Sequence, residues 1–144
     1  MSIVAWDGKS LAADRMATAD EMRYAVTKIM PVKGGAIAWC GPQEYGLTLL
    51  EWVLEGEQQD KWPECQARDN WARIIVVKHG GCIYEYESLP IPQPITEPFM
   101  AWGSGRDFAM GAMAAGATAK QAVEITNRFS TTCGCGVDVV RLTK

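Results

Sequence analysis

Short apolar runs cut by glycine-bearing turns constrain this chain more than any other feature of its sequence. Residues 2–6 and 9–13 flank Asp7-Gly8, and residues 24–32 and 36–40 flank Lys33-Gly34-Gly35. Residues 71–78, with Ile74-Ile75-Val76-Val77 at their centre, lead through Gly80-Gly81 into 82–87. An Asp-Gly pair accepts positive φ at both turn positions, so the first pair of runs predicts a hairpin, and the others follow the same logic. The Ile74–Val77 run predicts a strand buried on both faces. The alternating tyrosines and glutamates of Ile83–Glu87 predict a neighbour with one wet face.

Between and after these strands the period changes. Gly41-Pro42 ends the fourth run and suits a helix start. From Gln43 to Leu54 the apolar residues Tyr45, Leu49, Leu50, Trp52, Val53 and Leu54 recur at helical spacing. Residues 55–70 are polar, contain Pro63 and read as a loop with room for a short helical turn. Prolines 90, 92, 94 and 98 make residues 88–98 an extended connector. A short strand over Phe99–Trp102 then delivers Gly103-Ser104-Gly105. A helix rich in alanine, glycine and methionine covers 106–115, and Gly116 stops it. Thr118 and Gln121 have capping-box spacing and open a second helix to about Phe129. Gly134 and Gly136 precede a last strand, 137–142. Hairpins without regular βα alternation predict an α+β domain with mostly antiparallel sheets covered by helices. Two stacked sheets would explain strands that are apolar on both faces.

Composition narrows the function classes. The chain has 144 residues with 48% apolar content, which suits one domain over 1–144 with a real core. Its net charge is -3 with both signs mixed along the chain, so no basic stripe marks a nucleic acid partner. No run of eighteen apolar residues predicts a membrane span, and residues 1–8 lack a signal peptide's pattern, so a cytoplasmic protein is expected. Five scattered cysteines read as reduced thiols. Cys133-Gly134-Cys135 is their one close pair and His79 the one histidine, which favours a tight turn of small residues over a metal site. No metal or cofactor is expected.

Three side chains stand out on physical grounds. Lys28 lies in an apolar strand, and an unpaired buried ammonium is costly, so it needs a partner. Asp14 is the obvious one, although Asp14 before Arg15 also fits a strand-end ion pair or a turn. Ser104, between glycines and before a helix, fits either a helix cap or an anion site at a helix start.

Taken in order, several segments resemble the proteasome β-subunit-like N-terminal-nucleophile (Ntn) hydrolase family. They are Ser10-Leu11-Ala12-Ala13-Asp14-Arg15-Met16-Ala17-Thr18, Thr27-Lys28-Ile29, Ile37-Ala38-Trp39-Cys40-Gly41, Gly103-Ser104-Gly105 and Cys133-Gly134-Cys135-Gly136-Val137-Asp138-Val139. The likeness spans nearly the whole chain, with a shortened middle similar to short phage or prophage forms. It implies a four-layer αββα sandwich and a threonine- or serine-type N-terminal-nucleophile peptidase or amidase. In that chemistry a first-residue hydroxyl attacks and its own α-amine, ordinarily of pKa about 7.7–8.0, serves as base. By resemblance Ser2 is the nucleophile once Met1 is trimmed, Asp14 orients Lys28, and Ser104 bonds near the amine. Ala38, Trp39 and Gly105 are implied for substrate or oxyanion contacts, the latter through main-chain groups, with Ser130 and Cys133 in secondary positions. A homo-oligomer follows, as a ring, with an alanine-rich helix or the Trp52 helix at a subunit contact. An ATP-dependent unfoldase is a further implied partner, and the substrate is a peptide or amide.

Departures from the family pattern imply a second reading, a catalytically silent member serving as a structural or assembly subunit. Ser130 stands where the family has an aspartate, Cys133 where it has a serine, and Ala38 where it has a glycine. While Met1 remains, the Ser2 nitrogen is a peptide nitrogen. With a turn centred on Asp7-Gly8, Ser2 should also fall about four residues, roughly 13 Å, short of the site, and only a rearranged hairpin, such as one centred nearer Lys9, would bring it back.

Overall fold

A computed structural model describes residues 2–64 and 71–142 of the chain. Met1, Cys65 and the remainder of the expected 55–70 loop from 65 onward lie outside these residues. The first half holds β1 (Val4–Trp6), β2 (Ser10–Asp14), β3 (Met16–Ala19), β4 (Met22–Ala25), β5 (Ile29–Val32), β6 (Gly35–Cys40) and α1 (Gln43–Leu54). After a short 3-10 turn at Gln59–Lys61 come β7 (Arg73–Lys78), β8 (Cys82–Tyr86), β9 (Gln93–Pro94), β10 (Met100–Trp102), α2 (Arg106–Ala114), α3 (Ala119–Phe129) and β11 (Val137–Arg141).

The strands form a four-stranded sheet in the order β10-β1-β2-β11, a five-stranded sheet β5-β6-β7-β8-β9, and a separate β3-β4 hairpin. All pairings are antiparallel. Side chains alternate across each strand, so each of the two larger sheets presents two apolar faces, and three buried clusters result. Val4, Trp6, Leu11 and Ala13 meet Ala36, Ala38, Ile75 and Val77 between the sheets. Ile3, Ala5 and Ala12 face Ala109, Met113, Ala122 and Val123 of α2 and α3. Ile37, Trp39, Ile74 and Val76 face Leu49, Leu50, Trp52 and Val53 of α1. The layers are therefore helix pair, sheet, sheet, helix, the αββα sandwich. Each fully buried valine, leucine or isoleucine side chain in these clusters contributes about 1.5–3 kcal/mol. Trp52, offered by sequence as part of a subunit contact, is 3% exposed and packs edge-on against Trp62 and Tyr86.

Helix boundaries follow local chemistry. Thr118 and Gln121 form the predicted capping box, with Thr118 Oγ1 accepting from Gln121 N–H and Gln121 Oε1 from Thr118 N–H. Asp7 adds to the same end: its Oδ2 accepts the Ala119 N–H at 2.8 Å, pinning the β1–β2 turn to α3.

Four features differ from the sequence expectation. The β1–β2 register pairs Val4 with Ala13 and Trp6 with Leu11, which centres the turn between Gly8 and Lys9 rather than on Asp7-Gly8. Gly8 takes φ +94° as first central residue, while Asp7 Oδ1 accepts the Lys9 and Ser10 N–H groups at 2.8 and 2.7 Å. The run 24–32 is split between β4 and β5, in different sheets. The β3–β4 turn uses Asp20 and Glu21, both at positive φ, so no glycine announced it. The connector 88–98 contributes edge strand β9, where Pro94 needs no ladder N–H. Finally, β8 has no wet face at Glu85: it lies on the Ile83 side, between the sheets, and is 7% exposed.

Candidate active site

Strand β2 ends on Asp14 at one open end of the sandwich. Its carboxylate is fully buried and accepts four hydrogen bonds. Oδ1 accepts the Ile3 N–H at 3.1 Å and the Lys28 ammonium at 2.8 Å. Oδ2 accepts the Met16 N–H at 3.3 Å and the Gly134 N–H at 3.1 Å. These donors come from the start of β1, the start of β3, the segment before β5 and the turn before β11. One carboxylate thus ties four chain segments together. Burying a charge is tolerable where its lone pairs are occupied and its countercharge is adjacent. Lys28, 3% exposed, has in Asp14 the partner its apolar setting requires. Arg15 pairs instead with Asp138, Nε to Oδ2 at 3.3 Å, so Arg15 is not the partner of Asp14.

The Ser2 gap expected from sequence does not arise. With the turn centred at Gly8-Lys9, Ile3 lies opposite Asp14, and the Asp14 N–H donates to the Ile3 carbonyl at 3.1 Å. Ser2, one residue further, is fully buried, and its N–H donates to Ser104 Oγ at 3.2 Å. The Ser2 carbonyl accepts the Gly105 N–H at 3.2 Å. Gly103 has φ +103°, and a Cβ on it would overlap the Ser2 carbonyl oxygen, so glycine is needed there for both conformation and space. A Cβ on Gly105 would run into Thr126 Cγ2. Ser104 makes no side-chain cap for α2, which removes the helix-cap reading.

The Ser104 hydroxyl continues into the turn between α3 and β11. Ser104 Oγ lies 2.9 Å from Thr132 Oγ1, which lies 3.0 Å from Ser130 Oγ. Ser130 Oγ also accepts the Thr132 N–H at 3.2 Å. Cys133 is buried beside them, its Sγ 3.9 Å from both Ser104 Oγ and Thr132 Oγ1. Thr132 is not among the residues that the sequence singles out. The one signal for it was the run of hydroxyl residues Ser130-Thr131-Thr132, which is common in any turn.

The oxyanion assignment needs correction. The Trp39 N–H donates to the Lys28 carbonyl at 3.0 Å, and the Gly105 N–H goes to Ser2. Backbone groups alternate sides along an antiparallel strand, so the Ala38 N–H points away from β5, toward β7, where Ala38 faces Ile75. All three amides are directed into the fold.

A cleft of about 610 Å³ opens beside this cluster, between the β3–β4 hairpin and the start of α1. Met16 and Lys28 reach it from the buried side, and Tyr24, Pro42, Gln43 and Leu47 line it toward solvent. Among the described residues, no three His, Cys, Asp or Glu side chains group as a metal site, and no helix is long and apolar enough to cross a membrane.

No family model and no curated protein sequence matches the chain. Solved structures do. Thiobacillus denitrificans BPH is 19% identical with a TM-score of 0.71, and 99% of each chain is covered. The same protein in complex with epoxomicin gives 19% identity, a TM-score of 0.70 and full coverage of both chains. Eukaryotic HslV from Trypanosoma brucei is 20% identical, with a TM-score of 0.72 and 99% of each chain covered. Sharing the whole path of the chain with these structures at such low identity, the protein has the proteasome β-subunit-like Ntn-hydrolase fold.

Proposed function

We propose that the chain is an N-terminal-nucleophile hydrolase, a peptidase or amidase that works with Ser2 as its first residue after removal of Met1. The Ser2 hydroxyl attacks the substrate carbonyl and passes its proton to the Ser2 amine. The amine then protonates the departing amine, leaving an ester that water cleaves with the Ser2 amine again as base. Lys28 disfavours a second positive charge nearby and so keeps the amine available as base, and Asp14 holds Lys28 in place. Substrate enters by the cleft beside Lys28. The observation carrying this reading is the β1–β2 register, which sets the Ser2 nitrogen on Ser104 Oγ one residue from the Ile3–Asp14–Lys28 contact. The resemblance adds a cytoplasmic homo-oligomer, a ring fed by an ATP-driven unfoldase.

A second reading, a catalytically silent structural subunit of the same fold, draws support from the inward-directed amides of Ala38, Trp39 and Gly105. Intact mass separates the two. Protein from its native host that lacks Met1, gains the mass of epoxomicin, and cleaves fluorogenic peptides in a manner lost in Ser2→Ala supports the hydrolase. Retained Met1 with neither adduct nor turnover supports the silent subunit.

A further inference from the structure

We infer that Glu44 makes the cleft beside Lys28 select substrates with a basic side chain, lysine or arginine, next to the bond that is cleaved. The inference rests on the proposed hydrolase and names its substrate class. Met16 and Tyr24 form the hairpin side of the cleft, and Pro42 and Leu47 form the helix side. Tyr24 is 42% and Leu47 46% exposed, so both offer apolar surface to an incoming side chain. Among the described residues that line the cleft, Lys28 and Glu44 carry the charge. They lie at opposite depths. Lys28 is buried at the base and bonds Asp14, whereas Glu44 is exposed at the mouth. Among the described residues, no cation pairs with Glu44.

Glu44 belongs to a fixed rim. It stands in the first turn of α1, next to Gln43, whose amide is held at both ends. Gln43 Nε2 donates to the Thr27 carbonyl at 2.9 Å, and its Oε1 accepts the Trp39 indole N–H at 3.2 Å. The helix start is thereby tied to the residue before Lys28. Leu47 follows Glu44 by three positions, so the two share a helix face. A lysine or arginine side chain has an apolar stem and a charged head. The stem suits the gap between Tyr24 and Leu47, and the head reaches Glu44, with the Tyr24 ring as a second attractive surface. The Lys28 ammonium repels that head from the base, and Glu44 repels an acidic side chain from the mouth, so the two charges sort substrates along the cleft. The start of α1 opposes a cation with about half a positive charge, which the full charge of Glu44 outweighs. On the hairpin, Arg23 is not a lining residue and its side chain leaves the strand face opposite to Tyr24. Asp20 and Glu21 at the hairpin turn have the sign of Glu44.

The test compares three peptide amides that differ only in their last residue: lysine, norleucine, which keeps the stem without the charge, and glutamate. Each is titrated into the isotope-labelled full chain and its affinity read from chemical shifts, while fluorogenic peptides with the same three residues before the scissile bond are followed for cleavage. The lysine peptide is expected to bind about fivefold more tightly than the norleucine peptide, and the glutamate peptide most weakly. The preference should shrink in about 0.5 M salt, fall to about twofold or less in Glu44→Gln and turn toward the glutamate peptide in Glu44→Lys. Glu44 is exposed, so neither substitution disturbs the core. Equal affinity for lysine and norleucine in the parent, or a preference that Glu44→Gln leaves intact, overturns the inference. So does the failure of all three peptides to bind. Because binding is read without turnover, the two readings fail separately. A lysine preference without cleavage sinks the hydrolase and keeps the basic-side-chain cleft, whereas cleavage blind to lysine does the reverse.

Discussion

Among the described residues two carboxylates are buried, Asp14 and Glu85, and they are treated in opposite ways. Asp14, at the open end, accepts three main-chain N–H groups and a lysine ammonium. Glu85, between the sheets on β8, has Arg73 Nε only at 3.6 Å from Oε2, and that oxygen has no hydrogen-bond partner. Burial pushes the Glu85 carboxyl above its ordinary value, against the opposing pull of Arg73 and the Trp102 indole. Both residues lie on strands, Asp14 on β2 and Glu85 on β8. The difference is that Asp14 ends a strand, where unpaired N–H groups converge, whereas Glu85 sits mid-strand, where neighbouring N–H groups serve the ladder. A fold accommodates a buried charge cheaply where its backbone has spare donors and poorly where it has none.

That contrast can be broken most forcefully at Asp14. Asp14→Asn leaves the Lys28 ammonium buried without its countercharge and should cost about 3–5 kcal/mol in urea unfolding. The double change Asp14→Asn with Lys28→Met should lose less than the sum of the singles. Additive losses would mean that the pair is not coupled.

Glu85→Gln should act in the other direction. A raised folded-state pKa means that the folded chain binds the proton more tightly than the unfolded one. Stability therefore falls as pH rises from the ordinary value of 4.5 through the raised one. Glutamine has no such loss, and Arg73 keeps Glu87 at 2.7 Å. The variant should be more stable than the parent by roughly 0.5–2 kcal/mol near neutral pH, with the gain fading below about pH 4.5. Melting curves across that range check it. A gain independent of pH would remove the titration from the explanation.

The smallest effect concerns the thiols. Cys40, in the same layer as Glu85, has its pKa pushed up to about 11, mainly by burial. Alkylation of the folded protein near neutral pH should mark the exposed Cys82 and Cys135 and spare Cys40 and Cys133 until the chain unfolds. Early modification of Cys40, read by peptide mass mapping, would show that the inter-sheet layer opens.

Much of the fold was legible because it depends on short-range signals. The period of Gln43–Leu54, the Thr118/Gln121 box and the double apolar faces of 36–40 and 74–77 lead directly to α1, α3 and a two-sheet core. The β3–β4 hairpin was not legible, since Asp20 and Glu21 turn at positive φ without glycine. Nor was the buried setting of Glu85, because an alternating Tyr-Glu pattern reads as a wet edge until another sheet covers it.

The residues themselves determined that Lys28 must find a negative partner, that Gly103-Ser104-Gly105 follows a strand, and that helices would close over two apolar sheets. These follow from local propensity and the cost of an unpaired charge, which travel with the sequence. Only the tertiary structure decided that Ser2 reaches Ser104, that the Ala38, Trp39 and Gly105 amides turn inward, and that Thr132 joins the hydroxyl chain. Each depends on strand register, and moving the β1–β2 turn from Asp7-Gly8 to Gly8-Lys9 changes what stands opposite every residue of the strand.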